Sequence, residues 1–464
     1  MSAAASLDDR NATVRRAAEH LTLRLADGSA RLRYEDLPGD IRLLARQCLL
    51  DWVAVTLAGA REPLVRMLVD EVREERSGAQ ATVVGHGFDA SVLQAALVNG
   101  AASHALDYDD VNIAFTGHPT VAIVPALLAL AQSRHASGRQ FMAAFVAGYE
   151  TICRIGLLVA PGHYARGFHS TATVGTFGAA AACAHLLGLD AAAVATALGI
   201  AATQAAGLKS LFGTMCKPLH AGKACWNGLL AARLAARGFT ARPDVLECAQ
   251  GFAATQSDDF HPDAALADPP GGFHLRTNLF KYHAACYGTH ASIEAARRLR
   301  ERHGLTDERI RRVTVRVDPA SDKVCNIGDP RTGLESKFSL RQTVAMALAG
   351  IDTAGLEAYS DANAVAPRLV SLRERIGVEL VAGQGFSITE SEVEVETSDG
   401  ARHALRHDAG VPASDLDEQG RRLAAKFASL AGPALGAGRS RELLARIDEI
   451  DALADVAGFA ASLG

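Results

Sequence analysis

Aromatic side chains are scarce in this chain. Phe, Tyr and Trp make up 5% of 464 residues, with two tryptophans, so large rings cannot fill the interior. Positive charge is not in excess either. Lys and Arg number 47 against 52 Asp and Glu, a formal net charge of −5, which excludes the broad basic surface that nucleic acid requires. No CxxC pair occurs. The eight cysteines (Cys48, Cys153, Cys183, Cys216, Cys225, Cys248, Cys286, Cys325) lie far apart, a spacing that suits neither a zinc site nor a disulfide framework. A reduced, cytoplasmic setting is the expectation. The N-terminus, MSAAASLDDRNATVRRAAEH, has acids near its start and no apolar h-region, so no secretory leader is expected. A strongly apolar run of about 20 residues is also missing. The longest candidate, from Thr171 to Gly207, is mostly Ala and Gly and is broken by His185 and Asp190. It reads as a buried helical pair, with no membrane contact.

What is abundant is alanine, the best helix former, and the length is enough for two domains. Apolar residues recur at helical spacing through 41–55, 64–76, 119–133, 140–155, 179–187, 191–206 and 223–236. Asp89 is placed to cap a helix through 90–106, and Thr82–Gly85 reads as a small isolated strand. The cluster Asp268-Pro269-Pro270-Gly271-Gly272 reads as a domain boundary. Beyond it come a helix (289–303), a strand through Ile310, Val313, Val315 and Val317, a helix (339–349), and a hairpin turning at Asp399-Gly400. Helices return at 423–430 and 443–463. The predicted fold is mainly α: a large all-helical domain formed by both chain ends (1–268 plus 411–464), with a smaller inserted α+β lid (269–410).

Four segments carry candidate chemistry. HALDYDDVNIAFTGHP (104–119) groups Asp107, Asp109 and Asp110 near His118. Three readings fit: a carboxylate holding a proton as an acid, a Mg²⁺ site, or an acidic turn capping helices. No second acidic cluster supports the metal beyond Asp258-Asp259. GFHSTATVG places His169 before Ser170, Thr171 and Thr173, a hydroxyl-rich helix start suited to an anion, though a capping histidine fits as well. MCKPLHAGKA holds Lys217, His220 and Lys223 in a Pro/Gly-punctuated loop. Lys217, among apolar neighbours, suits a substrate clamp, while Lys223 reads as a helix-surface charge. The GxxxxGK[ST] spacing of a nucleotide loop is not met. FKYHAACYGTH (280–290) offers Lys281, Tyr287 and two histidines at the domain junction. Cys286 within it reads as a small buried residue rather than a nucleophile.

The pieces NGAASHALDYDD, GHP, FHSTATVGTFGAAAA, KPLHAGKA, FK followed by TH, and SKFSLRQTVAMAL, taken in this order, resemble the MmgE/PrpD family. Its members include 2-methylcitrate dehydratase, cis-aconitate decarboxylase and iminodisuccinate epimerase. The resemblance implies a cofactor-independent homodimer with no metal, acting on a small di- or tricarboxylate as a hydro-lyase or carboxy-lyase. Two alternatives are an epimerase in the same pocket and a non-catalytic carboxylate-binding protein of the same fold. It also implies roles: Lys217, Lys281 and His169 hold carboxylates, while His118 and Asp107 manage protons. Ser170, Thr171, His220 and Tyr287 are the expected substrate contacts. Two departures stand out. Cys325 occupies the place of a tyrosine found after the first lid strand in the decarboxylase branch, and Tyr287 that of an arginine common in relatives. A tyrosine cannot grip a carboxylate bidentately, so a substrate with fewer carboxylates, or another pose, is implied.

Overall fold

The computed structural model describes residues 19–383 and 385–464. The N-terminal stretch in which no leader was expected lies almost wholly outside them. The chain forms two compact units, Met1–Asn278 with Leu416–Gly420 and Ala431–Gly464, and Leu279–Asp415 with Arg421–Leu430.

The first unit is built of helices: α1 (Leu21–Arg31), α2 (Gly39–Gly59), α3 (Pro63–Glu75), α4 (Val92–His104), α5 (Pro119–Arg134), α6 (Gly138–Val159), α7 (Ser170–Leu186), α8 (Ala191–Ala202) and α9 (Cys216–Ala235). Helix α9 packs on α4 and α7, and α7 on α6. These approaches explain why the composition is rich in small residues. A Cβ added at Gly222 of α9 would sit 2.3 Å from the Leu97 carbonyl oxygen of α4, so only glycine lets these backbones meet. Helix α6 is long and apolar enough to cross a membrane, yet it is mostly buried within the protein, as a core helix is. The expected buried pair is α7 and α8.

Pro125 lies inside α5 and has no N–H to offer the Val121 carbonyl one turn earlier. The Cys225 thiol of α9 donates to that oxygen at 3.2 Å. A buried carbonyl is thereby satisfied across two helices, and burial pushes this thiol up, keeping it protonated for the task.

Several sequence expectations are corrected. The strand near Thr82 is not isolated: β1 (Ala81–Val83) pairs antiparallel with β2 (Phe88–Ala90). Asp89 belongs to β2, and Ser91 caps α4 instead, accepting from the Gln94 amide. Helix α7 starts at Ser170 rather than 179, its Thr, Val and Gly residues held helical by packing despite weak propensity. Helix α9 starts at Cys216, so KPLHAGKA is helix and not loop. Pro218 falls in its first turn, where no intrahelical N–H is needed.

In the second unit, α10 (His290–His303) packs on a four-stranded sheet and on α11 (Leu340–Leu348). The sheet order is β4-β3-β5-β6, made of β3 (Ile310–Val317), β4 (Ile376–Leu380), β5 (Glu390–Thr397) and β6 (Arg402–Asp408). Strand β5 alternates strictly: Ser391, Val393, Val395 and Thr397 are buried, while Arg316 reaches Glu392 and Glu394 among the outward acids. Gly400 adopts φ +85° in the turn to β6. Strand β4, parallel to β3, escaped sequence reading because it is five residues long and contains Gly377. The mainly α fold with a smaller α+β part is as expected. Toward the C-terminus the span Leu416–Asp448 (α12) holds two helices separated at Gly436, whose backbone is not helical.

Candidate active site

Three helices of the first unit begin at the same place. His118 is the N-cap of α5, His169 the N-cap of α7, and Lys217 stands in the first turn of α9. The His118 amide donates to Thr171 Oγ1 at 3.1 Å, tying the first two together. Helix N-termini concentrate partial positive charge and orphan N–H groups, so the convergence favours an anion.

The fourth contributor is the last turn of α4, which ends in the fully buried His104. The chain then reverses through Asp107, whose φ is +51°, and the three carboxylates separate. Asp107 faces Lys217, with Oδ1 2.8 Å from Nζ and 3.6 Å from His118 Nε2. Asp109 turns inward. Its oxygens accept from His104 Nδ1 at 2.9 and 3.1 Å, and His118 Nδ1 lies 2.9 Å from Oδ2, its ring N–H not aimed straight at the oxygen. Burial alone would raise Asp109, but the pull and hydrogen bonds of His104 and His118 hold it well below the usual range. Asp110 accepts from the Thr120 amide at 3.3 Å and the Thr120 hydroxyl at 2.5 Å, capping α5. Burial, reinforced by Asp51, pushes Asp110 up to about 8. The segment is thus acid, anchor and cap in one.

Three of the surrounding imidazoles, His104, His169 and His220, are shifted toward the uncharged form. Burial lowers His104 to about 4, against the pull of Asp109. Burial, with His104, Lys217 and His118 adding to it, drives His169 far down. His220 is lowered by burial and by Lys217. His169 and His220 share a hydrogen bond between Nδ1 atoms at 3.0 Å, and Phe212 meets the His169 ring edge-on at 4.9 Å.

Among the described residues, His104, Asp107, Asp109 and His118 place possible metal-ligand atoms within 4.8 Å of one another. Their present partners fit a different use. Asp109 is engaged by imidazole N–H, and the cation facing Asp107 is the Lys217 ammonium.

Of the residues expected from sequence, the first unit gathers Asp107, His118, His169, Lys217 and His220, with Thr171 bonded to His118. Ser170 is buried beside them as the first residue of α7. Lys223 lies on the exposed face, its Nζ 4.0 Å over the Trp226 ring. Lys281 and Tyr287 belong to the second unit. Lys281 is buried, and its carbonyl accepts from Lys426 Nζ at 2.9 Å. The Tyr287 hydroxyl donates to the Ala409 carbonyl at 2.5 Å. Cys325 lies against Cys286, whose hydrogen bond, with burial, pushes the Cys325 thiol up. Sequence reasoning grouped Asp109 with its neighbouring carboxylates but gave it no role of its own, and it gave His104 none. Their signal was present in HALDYDD, where a histidine in a final helical turn precedes a carboxylate by five.

A helical scaffold thus brings imidazoles, a carboxylate–lysine pair and three helix N-termini to one point, an arrangement suited to holding an anion and to moving a proton. The chain belongs to the MmgE/PrpD family: residues 23–265 match the MmgE/PrpD N-terminal domain and residues 283–451 the C-terminal domain. It is 27% identical over 466 residues to a cis-aconitate decarboxylase of Aspergillus terreus, covering 94% of each chain. It is 30% identical over 363 residues to the Homo sapiens cis-aconitate decarboxylase, covering 72% of this chain and 73% of that one. The Mus musculus cis-aconitate decarboxylase is 29% identical over 306 residues, covering 62% and 61%.

Proposed function

We propose that the protein is a lyase that removes CO₂ or water from a small di- or tricarboxylate, working through Lys217, Asp107, His118 and His169. The observation that carries this reading is the convergence of three helix N-termini on the Asp107–Lys217 pair, with His118 Nε2 3.6 Å from the Asp107 carboxylate. Lys217 and the helix ends hold the carboxylates that stay on the substrate. The reacting bond lies next to His118. In the decarboxylation arm, the bond from an allylic carbon to its carboxylate breaks, CO₂ leaves, and the electron pair shifts across the alkene. The far alkene carbon then takes a proton from His118 Nε2. In the dehydration arm the same nitrogen, starting without a proton, removes the proton beside a carboxylate and hands it to the departing hydroxide, which leaves as water. Both arms require stabilised negative charge and one correctly placed proton carrier. The names of the three relatives favour the first arm.

The test is incubation with cis-aconitate, citrate, 2-methylcitrate and iminodisuccinate, with products read by mass spectrometry. Loss of CO₂ or water from one of them is expected. Lys217→Ala should lower kcat/KM on that substrate by about 100-fold or more. A folded variant with full turnover would remove this pocket from the reaction.

A further inference from the structure

Cys286 and Cys325 stand far apart in sequence, yet one backbone frame in the second unit brings them together. The Cys286 amide donates to the Lys337 carbonyl at 2.9 Å. The Ile327 amide donates to the Phe338 carbonyl at 3.1 Å, Asn326 pairs with Ser339, and the Ser339 hydroxyl donates to the Ile327 carbonyl at 2.6 Å. Both cysteines are thus anchored on the segment 337–339. Both sulfurs border Gly288, where an added Cβ would sit 3.0 Å from Cys325 Sγ and 4.0 Å from Cys286 Sγ. The pair is reduced in this structure. We propose that Cys286 and Cys325 form a redox-modification site: hydrogen peroxide oxidises Cys286, and Cys325 resolves the product into a disulfide that a small thiol reverses. The inference goes beyond the lyase reading and does not depend on it.

The two sulfurs are not equivalent. Cys286 is half-buried, which corrects the expectation that it is a buried packing residue, whereas Cys325 is 1% exposed at the end of the short helix Ser321–Cys325. A solvent-borne oxidant reaches Cys286 first, and access is one of the factors that select which cysteine is oxidised. The hydrogen bond with Cys286, together with burial, pushes the Cys325 thiol up, so Cys325 keeps its proton and serves as the second reactant. In the first step the Cys286 thiolate attacks one peroxide oxygen and the O–O bond breaks. Hydroxide leaves, takes up the proton that Cys286 had released, and a sulfenic acid remains on Cys286. Cys325 Sγ then attacks that sulfur. The S–S bond forms, the S–O bond breaks, and the departing hydroxide carries off the Cys325 proton as water. The sulfur pair has lost two electrons and the peroxide has become two waters. A small thiol returns the pair to its starting state by exchange.

The test uses the full, pre-reduced chain, treated with equimolar hydrogen peroxide, alkylated, digested without reductant and mapped by mass spectrometry. The main product expected is a peptide linking Cys286 to Cys325, two hydrogens lighter than the separate thiols and lost on adding dithiothreitol. Cys216 and Cys248, half-buried like Cys286, should be oxidised less. In Cys325→Ser the sulfenic acid on Cys286 should persist and be trapped by dimedone. In Cys286→Ser, Cys325 should be oxidised at least about tenfold more slowly than Cys286 is in wild type. If a variant does not fold, the wild-type map still decides. A sulfenic or higher acid on Cys286 with no link to Cys325, a link from Cys286 to another cysteine, or prior oxidation of Cys216 or Cys248 overturns the proposal. So does a Cys325 that reacts at the wild-type Cys286 rate in Cys286→Ser. A wild type inactive on every carboxylate tested would count against the lyase reading and leave this map standing.

Discussion

Asp107, Asp109 and Asp110 stand within four positions of one another yet meet three environments. Asp110 illustrates the cost of the buried one. Its folded value of about 8 lies far above an ordinary aspartate near 4. Below pH 4 both folded and unfolded states hold the proton and nothing is gained or lost. From pH 4 to 8 the unfolded chain releases it while the folded chain does not, so stability falls as pH rises, then levels off. At about 1.4 kcal/mol per unit, the loss by pH 8 is on the order of 5 kcal/mol if the site does not relax. Asp110→Asn keeps an acceptor for the Thr120 amide and cannot ionise. It should melt above wild type at pH 8 and no higher than wild type at pH 4. Parallel melting profiles across that range would show that Asp110 is not protonated in the fold.

Helices α4 and α9 carry His104 and Lys217, and their spacing is set where Gly222 meets the Leu97 carbonyl. Gly222→Val places carbon where backbone already lies, 2.3 Å from that oxygen, and the helices must part. Overpacking of this kind costs about 1–3 kcal/mol, and the shift should lower activity as well, since it moves Lys217 relative to its partners. Melting temperature and kcat on the active carboxylate check both. A variant as stable and active as wild type would mean that the contact yields easily. Much at this scale was legible from sequence: α2, α3, α5 and α6 fall within a few residues of their expected places because their apolar spacing is regular. The start of α9 was not legible, because a proline in a first helical turn and one in a loop look alike. Nor was the sorting of the three carboxylates. It depends on the left-handed turn at Asp107, a conformation that non-glycine residues adopt rarely and that no periodicity announces. The residues flanking the turn were visible, but which way each carboxylate faces was not.

Taken whole, the molecule buries an unusual share of its histidines. Seven of sixteen are buried (His104, His163, His169, His220, His274, His283 and His290), and burial lowers every one of them. For such a base the unfolded chain takes up a proton near pH 6.5 that the folded chain refuses. Stability is therefore complete above that value and is lost as pH falls toward the folded one. His104, lowered to about 4, accounts for on the order of 3 kcal/mol across this window. Asp110 and Glu150, the latter pushed up to about 7 by burial, act in the opposite sense and gain stability as pH falls. Two carboxyls against seven imidazoles leave a net loss in acid. Above pH 6.5 the histidines contribute no further change while the penalty at Asp110 still grows. Melting temperature measured from pH 4 to 9 should therefore peak near pH 6.5 and fall on both sides. In Asp110→Asn the alkaline fall should shrink and the acid fall steepen, because the opposing group is gone. A wild-type profile that stays flat from pH 6.5 to 4 would show that these imidazoles do accept protons in the folded state, and that the pocket is cationic rather than neutral.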